Sequence, residues 1–308
     1  MSTSTVPVPN PATRALDPLA ASLVVLLCLS WGFNQVAVKL AFPDFPPFLQ
    51  GALRSIVAAV IVAACARARG IPLFARDGTL KAGLAAGALF GAEFLFLYQG
   101  LVYTTATRAV LFLYLAPFFV VLGARIFLPA DRFSPRQWLG LALSFAGMVV
   151  AFGVPTPAVD PRQSTGDVLT VIAAVLWAAT TLTIKASPLS KVVAEKTLLY
   201  QLVGSAPMFV AAALVSGEKI TAMPSAVALG AMAYQAVWVV SLTYTVWFAL
   251  IARYSATRLS AFTFLTPLFG VVAGHVMLHD PLTPAFVGAV ALVAAGLVLV
   301  NRARPPAS

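Results

Sequence analysis

One glutamate in an apolar stretch is the residue of this sequence best placed to do chemistry. Glu93 stands in FGAEFLFLY, residues 90–98, among aromatic and aliphatic side chains. Burying an ionised carboxylate there is costly unless the group is paired, solvated or protonated. Such a carboxylate can hold a substrate ammonium group or exchange protons, and an acid inside a membrane segment is a functional candidate. The alternative is a structural glutamate that links two helices by a hydrogen bond.

The composition assigns the surroundings of Glu93 to a membrane. The chain has 308 residues, of which 60% are hydrophobic and only 10% charged, with a mean hydropathy of +0.93. Soluble domains carry about 25% charged residues, and apolar segments of about 20 residues are long enough to cross a bilayer as helices. We therefore predict an all-α integral membrane protein. The two cysteines, Cys28 and Cys65, lie in apolar segments and form no disulfide or metal pattern.

The apolar segments and the basic residues together predict a topology. If the N-terminus is inside, most of the 20 Lys and Arg residues face the cytoplasm, which places both termini there. The net charge of +10 is then a topology signal, and we expect no nucleic-acid partner. Ten transmembrane helices are predicted, near 19–40, 47–67, 80–102, 106–127, 136–153, 167–186, 194–215, 224–250, 257–278 and 284–301.

Two passages of the chain repeat each other. Residues 106–119, ATRAVLFLYLAPFF, and residues 256–269, ATRLSAFTFLTPLF, are identical at seven of fourteen positions without a gap. Trp31 also precedes Lys39 by the same distance as Trp177 precedes Lys185. We predict a disordered cytoplasmic tail over 1–17, five-helix repeats over 18–153 and 167–302, a periplasmic linker over 154–166 and a cytoplasmic tail over 303–308.

Five helices in each repeat is an odd number, so the second repeat must enter the membrane upside down. Inverted repeats of this kind build alternating access in many secondary transporters, with a substrate site near the midplane. The alternative is duplication for stability alone. No G-x-x-x-x-G-K loop is found, so we expect neither ATP-driven transport nor a cofactor.

The ends of the two repeats carry a family resemblance. Residues 278–301, LHDPLTPAFVGAVALVAAGLVLVN, and residues 128–153, LPADRFSPRQWLGLALSFAGMVVAFG, resemble the repeat ending of the EamA-type branch of the drug/metabolite transporter superfamily. The resemblance implies a secondary transporter of a bacterial inner membrane. Glu93, the aromatic residues after it and the turn YTTAT, residues 103–107, are similar to an exporter of aromatic and other hydrophobic amino acids. By that resemblance, the first four helices of each repeat surround a cavity.

Several polar and aromatic residues are candidates for substrate binding besides Glu93. An offset of 150 residues maps Glu93 onto Thr243, which would face it across the cavity, although a threonine can also bond the carbonyl one turn back. Arg54 could meet a substrate carboxylate or extend to the interface. Aromatic side chains stack on apolar solutes and attract ammonium groups, although most of them serve packing. The aromatic candidates are Phe90, Tyr98, Tyr114, Tyr234, Trp238, Tyr244 and Trp247.

Two mirrored pairs are candidates for gating. Pro117 and Pro267 lie near the middle of their spans, where proline kinks a helix, and they could act as hinges or as static kinks. Arg108 and Arg258 begin equivalent helices and could close a gate, or extend to the membrane surface. His275 and His279 have a zinc-like spacing, but without a third ligand beyond a nearby aspartate we expect no metal.

The sequence thus predicts export of small amphipathic metabolites, most specifically aromatic and other neutral hydrophobic amino acids. Another metabolite or drug class carried by the same superfamily is the alternative. Anionic substrates would need several deep basic side chains, and Arg54 is a single candidate. An integral-membrane enzyme, or a structural or signalling membrane protein, is the alternative from a different class. We expect a small-molecule substrate and the lipid bilayer as partners, a monomer or weak homodimer, and leave proton coupling open.

Overall fold

A computed structural model describes residues 16–73, 75–104, 109, 112–129, 133–152, 161–278 and 284–302. All the regular structure in these ranges is helical, which confirms the all-α class. A π-helix, Tyr234–Thr243, continues without a break from the α-helix before it into the α-helix after it. The α-helices are α1 (Pro18–Ala41), α2 (Pro47–Ala68), α3 (Leu80–Tyr103), α4 (Ala116–Phe127), α5 (Pro135–Phe152), α6 (Pro161–Ala186), α7 (Ala194–Val215), α8 (Ala226–Ala233), α9 (Tyr244–Arg253), α10 (Ala256–Phe262), α11 (Leu265–Leu278) and α12 (Pro284–Arg302).

Helices of membrane length account for much of the described chain. Their outward side chains are apolar, and Val60 and Leu214, for example, are 65% and 77% exposed. Lipid is the solvent that such surfaces require, so the chain is a multi-pass membrane protein. The count of ten stays a prediction, because six described helices are long and apolar enough to cross a membrane: Pro18–Val38, Pro47–Ala68, Leu80–Gly100, Arg162–Ala186, Ala194–Val215 and Ala226–Arg253.

The helix pairings are matched between the two parts of the chain. The contact of α1 with α11 has its counterpart in the contact of α6 with α4. The contact of α3 with α6 has its counterpart in the contact of α1 with α8 and the π-helix. Helix α3 also packs on α7, as the π-helix packs on α2. The two other large contacts, α2 with α7 and α5 with α12, are their own counterparts when the two parts are exchanged. At the α2–α7 contact the Ser205 hydroxyl donates to the Ser55 hydroxyl at 3.3 Å, between residues 150 positions apart.

Glycines allow two of these pairs to approach closely. A Cβ atom added at Gly296 of α12 would lie 2.4 Å from the carbonyl oxygen of Gly140 in α5. A Cβ atom added at Gly204 of α7 would lie 2.8 Å from the Cα atom of Gly87 in α3. Small residues at such crossings are typical of membrane helices, which pack by close backbone approach.

Three elements differ from the sequence-based expectation. Helix α6 begins at Pro161, inside the stretch expected to be a linker, and this extension places Asp167 within the helix. Each of the mirrored prolines lies in the first turn of a new helix rather than inside a kinked one. A turn at residues 114–115 precedes α4 and Pro117, and a turn at residues 263–264 separates α10 from α11 and Pro267. A proline in a first turn removes no intrahelical hydrogen bond.

Two loops fasten the halves of the molecule together at equivalent places. The first contact, here the α2–α3 clasp, joins the loop after α2 to the start of α7. Lys196 donates to the Asp77 carboxylate at 2.7 Å and to the carbonyl of Ala75 at 3.0 Å, and Arg69 forms an ion pair with Glu195. This clasp is therefore held by two pairs of opposite charges.

The second contact, here the α7–α8 clasp, joins the loop after α7 to the start of α2. The backbone N–H of Leu49 donates to the Glu218 carboxylate at 2.8 Å. The hydroxyl and the backbone N–H of Ser225 donate to the Asp44 carboxylate at 2.6 and 3.0 Å. Its two carboxylates thus accept hydrogen bonds from neutral donors.

Candidate functional site

A cavity of about 120 Å³ lies between helices of both halves of the chain. Its walls come from α1, α3, α6, α7, α9 and α11, together with the turn before α4. A single water occupies on the order of 10–15 Å³ on this measure, so the space holds several waters or a small organic solute. The helix pairings described above therefore enclose a site that draws on both halves.

Glu93 supplies the carboxylate of this cavity. It lies on α3 and is 6% exposed, and among the described residues its carboxylate accepts no hydrogen bond. The other polar groups of the wall are uncharged, namely amides and hydroxyls of Asn34, Gln201, Thr180, Thr181 and Thr266. An ionised carboxylate accepts hydrogen bonds only, so the site can take an ammonium group, ordered water or a proton.

Aromatic rings form the rest of the wall and bridge the two halves. The Trp31 ring of α1 packs edge-on against Trp247 and Tyr244 of α9, with centroid distances of 5.3 and 5.9 Å. Tyr114 packs edge-on against Trp177 of α6 at 5.7 Å. Edge-to-face packing at these distances fixes ring orientation, and the rings leave faces and edges toward the cavity.

Five of the predicted substrate-binding residues meet at this cavity. Phe90, Glu93, Tyr114, Tyr244 and Trp247 all line it. They come from three separate stretches of the chain, so the cavity depends on the packing of α3 and α9 against the turn before α4. Their role in binding stays a hypothesis.

Thr243 does not line the cavity, which differs from the expectation that it faces Glu93. The hydroxyl of Thr243 donates to the carbonyl oxygen of Val239 at 2.5 Å and accepts from the Trp31 indole N–H at 2.9 Å. The bond to a carbonyl one turn back was the alternative considered above. The geometry makes Thr243 a support that orients the Trp31 ring.

Tyr234 and Trp238 also lie away from the cavity. The Tyr234 hydroxyl donates to the backbone carbonyl of Ser30, and the Trp238 indole N–H donates to the Ser30 hydroxyl, both at 3.0 Å. Trp238 is 39% exposed. Both side chains attach the π-helix to α1, and this attachment explains their polar atoms without a substrate.

Arg54 and Tyr98 lie behind one wall of the cavity. The Arg54 side chain is 2% exposed, so it does not extend to the interface, and its guanidinium carbon lies 4.6 Å from the centroid of the Phe94 ring. The Tyr98 ring lies 6.0 Å from the same Phe94 ring. Phe94 itself lines the cavity, so both residues contact a side chain of the cavity wall without being part of that wall.

Of the two predicted gating arginines, Arg258 lies within the described residues. Arg258 is 4% exposed and donates from Nη1 to the backbone carbonyl of Asn301 at 2.6 Å, which attaches α10 to the end of α12. Arg108 lies outside the described residues. The same is true of His279, and for His275 only the backbone is described.

The sequence interpretation missed several cavity residues. Trp31 and Trp177 line the cavity, and the repeat had already paired them by their equal distance from a lysine. Asn34 and Gln201 are polar residues inside apolar helices, which is a signal that applies to amides as well as to acids. The π-helix gives no signal in composition, because its residues are as apolar as those of neighbouring helices.

A bundle of membrane-length helices that encloses a small cavity with one carboxylate and aromatic walls is the architecture of a small-molecule carrier. The model of the EamA-like transporter family matches residues 18–153 and again residues 164–302, and the chain belongs to that family. It is therefore a membrane transporter of the EamA family.

Relatives extend over most of the chain. A "probable amino-acid metabolite efflux pump" of Salmonella typhimurium is 28% identical over 90% of this chain and 93% of the relative. An "uncharacterized transporter" of Archaeoglobus fulgidus is 27% identical over 84% of this chain and 89% of the relative. The "uncharacterized inner membrane transporter YedA" of Escherichia coli K12 is 22% identical over 85% and 83%.

A solved crystal structure shares the fold. It superposes on this chain with a TM-score of 0.78 at 21% identity, covering 92% of this chain and 96% of the other. At that identity the similarity concerns the arrangement of helices alone.

Proposed function

We propose that this protein exports small neutral amphipathic metabolites, foremost aromatic and other hydrophobic amino acids, outward across a bacterial inner membrane. The observation that carries the proposal is the Glu93 carboxylate, which faces an aromatic cavity and accepts no hydrogen bond from a described residue. A buried carboxylate of this kind suits a ligand that brings an ammonium group. A relative at 28% identity named as a probable amino-acid metabolite efflux pump supports the same substrate class.

The binding step follows from the wall chemistry. The substrate ammonium group would replace water at Glu93, which offsets the cost of burying both charges. Trp31, Tyr244 and Trp247 would contact the apolar side chain of the substrate and the cation through their ring faces. Amides and hydroxyls of the wall would complete the hydrogen bonds of the substrate.

The transport step rests on the matched helix pairings. We propose ten helices in two inverted five-helix repeats, with both termini in the cytoplasm and the cavity exposed to one side at a time. The interruptions before Pro117 and Pro267 are where helix segments can change their angle, because the α-helical hydrogen bonds give way there to bonds between residues three apart, such as Leu115 to Phe112 at 3.2 Å and Thr266 to Thr263 at 2.9 Å. Arg108 and Arg258 stay candidates for gating.

An alternative within the same family is a carrier of organic cations. An aromatic wall around one carboxylate also suits a ligand that has an ammonium group and no carboxylate. An integral-membrane enzyme is the alternative that the cavity supports least. Catalysis would need a nucleophile with an activating base, and among the described wall residues Glu93 is accompanied by amides, hydroxyls and aromatic rings.

Counterflow of labelled phenylalanine in proteoliposomes tests the proposal. Glu93→Gln should lower the counterflow rate by roughly tenfold or more, because it removes a charge-assisted hydrogen bond. Lys191→Gln, which removes an exposed charge in the turn Pro188–Lys191, is the control and should keep the wild-type rate, because it lies outside the cavity and both clasps. Repeating the measurement with an imposed pH gradient shows whether Glu93 also exchanges protons. Wild-type protein that moves none of a panel of neutral solutes would disprove the proposal, and an unchanged rate in Glu93→Gln would remove Glu93 from the site.

A further inference from the structure

The Arg54 guanidinium is a buried group with unmet hydrogen-bonding capacity. Its side chain is 2% exposed on α2, and its Nε and Nη2 atoms have no hydrogen-bond partner among the residues that the structure describes. A buried ionic group without partners is costly, and a contact with an aromatic face compensates only part of that cost. Arg54 is also close enough to Glu93 for the two charges to interact electrostatically.

A second unpartnered donor lies beside it. The Tyr98 hydroxyl, one helical turn beyond Phe94 on α3, is buried and bonds to no residue in the described part of the chain. Packed beside the Tyr98 ring is Phe209 of α7, at a centroid distance of 6.0 Å. Neither of these ring contacts offers an acceptor to the hydroxyl, so Arg54 and Tyr98 both have donors that no described residue satisfies.

Phe94 is the cavity residue that contacts both Arg54 and Tyr98. Its ring lines the cavity next to Glu93, while its face contacts the Arg54 guanidinium at 4.6 Å. The ring is only half-buried, and a half-buried phenylalanine can change its side-chain rotamer without a backbone shift. Movement of this one ring would expose the donors of Arg54 to the cavity.

We propose that Phe94 covers a carboxylate subsite formed by Arg54 and Tyr98, and that this subsite and Glu93 together bind a zwitterion. A guanidinium binds a carboxylate with two parallel hydrogen bonds, and the unpartnered Nε and Nη2 atoms provide such a pair. An amino acid carries its ammonium and carboxylate groups on one carbon atom, and the Phe94 ring that contacts Arg54 lines the same cavity as Glu93.

The inference rests on the proposed function and narrows it to a substrate with both charges. An amine without a carboxylate leaves the donors of Arg54 unmet. An acid without an ammonium group meets Arg54 but is repelled by Glu93. The order of affinity expected is therefore zwitterion, then amine, then carboxylate.

Three probes that share a phenyl ring test this order in wild-type protein. Phenylalanine, 2-phenylethylamine and 3-phenylpropionate would each compete with labelled phenylalanine in the counterflow measurement. Phenylalanine should compete roughly tenfold to a hundredfold better than phenylethylamine, the range for one charge-assisted hydrogen-bonded group. Equal competition by phenylalanine and phenylethylamine would overturn the inference, while leaving transport of the aromatic compounds, and hence the proposed function, intact.

Variants then assign the effect to Arg54. Arg54→Gln should weaken competition by phenylalanine by roughly tenfold or more and should strengthen competition by phenylethylamine, because a cation near Glu93 is removed. Tyr98→Phe, which removes a single oxygen atom, should show a smaller effect of the same sign on phenylalanine. Arg253→Gln, an exposed arginine at the end of α9, is the matched control and should change neither probe.

A parallel loss of both probes in Arg54→Gln, or no change in either, would overturn the role given to Arg54. Tyr98→Phe retains the packing of the ring, so it still tests the subsite if Arg54→Gln fails to fold. Phe94→Leu should raise the competition by phenylpropionate, since a smaller cover exposes Arg54. An unchanged value for phenylpropionate would overturn the role of Phe94 as a cover.

Discussion

The two clasps perform the same structural task with different chemistry. In the α2–α3 clasp an ammonium ion, Lys196, is buried against the Asp77 carboxylate, with side-chain exposures of 4% and 32%. In the α7–α8 clasp the partly exposed Asp44 carboxylate accepts from a neutral hydroxyl and a backbone N–H of Ser225. A carboxylate interacts more strongly with an ammonium ion than with neutral donors.

This difference predicts which end of the molecule separates first. If the halves move as alternating access requires, the α7–α8 clasp should break more readily than the α2–α3 clasp. In the predicted topology the α2–α3 loop is cytoplasmic, so the cytoplasmic side would be the one held closed. The following predictions test the comparison, beginning with the largest expected effect.

The largest effect is expected from the buried lysine. Lys196→Gln would leave the Asp77 carboxylate and the Ala75 carbonyl without their shared donor, and breaking a largely buried pair is strongly destabilising. The melting temperature in detergent, followed by tryptophan fluorescence, should fall by several degrees. Lys191→Gln, an exposed lysine in the nearby turn Pro188–Lys191, should leave it unchanged. Equal melting temperatures in the two variants would contradict the importance given to this clasp.

A smaller effect is expected on the stability of the fold at acid pH. In both clasps the aspartate pKa is lowered, so both should lose stability as the pH falls. The hydrogen bond from Lys196, with a further one from Thr79, lowers the pKa of Asp77 from 3.8 to about 2. The Ser225 hydroxyl and backbone N–H lower the pKa of Asp44 below its ordinary value. A pKa depressed by folding adds stability that is fully present above the unfolded value and is lost as the pH falls through the folded value.

Melting temperatures measured between neutral pH and the acid range would therefore separate the clasps. Asp77→Asn should remove more of the decline below the ordinary aspartate pKa than Asp44→Asn, because an ammonium ion holds Asp77 and neutral groups hold Asp44. The acid decline of Asp44→Asn should resemble that of wild type. The reverse order would show that the charged clasp is not the stronger of the two.

The smallest effect is expected from Arg69. Its side chain is 65% exposed although its partner Glu195 is 11% exposed, and exposed ion pairs contribute about 0–1 kcal/mol. Arg69→Gln should therefore change the melting temperature little, and any difference from wild type should disappear at high salt. A fall in melting temperature as large as that of Lys196→Gln would show that the exposed Arg69–Glu195 pair stabilises the clasp as much as the Lys196–Asp77 pair does.

Hydropathy predicted the helices well where polar residues or prolines bound an apolar run. The span predicted near 194–215 coincides with α7, and the one near 47–67 is one residue shorter than α2. Each membrane helix satisfies its own backbone hydrogen bonds, so its limits depend on local sequence. Asp167 shows where this fails. It was placed at a span end, but α6 starts earlier, and the Asp167 carboxylate is buried and accepts from the Thr104 hydroxyl at 2.7 Å.

The candidate site was predicted only in part, because side-chain direction depends on packing. Glu93 was found from its type alone, since an acid inside a span stands out against any apolar neighbour. Trp238 and Trp247 look alike in sequence, yet one attaches the π-helix to α1 and the other lines the cavity. Local sequence contains no information on which face of a helix meets the other half.

The π-helix lies in a segment that is longer in the later half of the chain than in the earlier half. Helices α3 and α8 begin 146 residues apart, at Leu80 and Ala226, whereas α3 and α9 end 150 residues apart, at Tyr103 and Arg253. The four additional residues of the later half are accommodated within the rod that contains the π-helix, whose wider turns hold more residues than α-helical turns. Glu93 therefore corresponds to Val239 when the two segments are aligned from their starts and to Thr243 when they are aligned from their ends. An alignment of the two halves needs a gap at this segment, and a residue-by-residue symmetry argument holds only on either side of it.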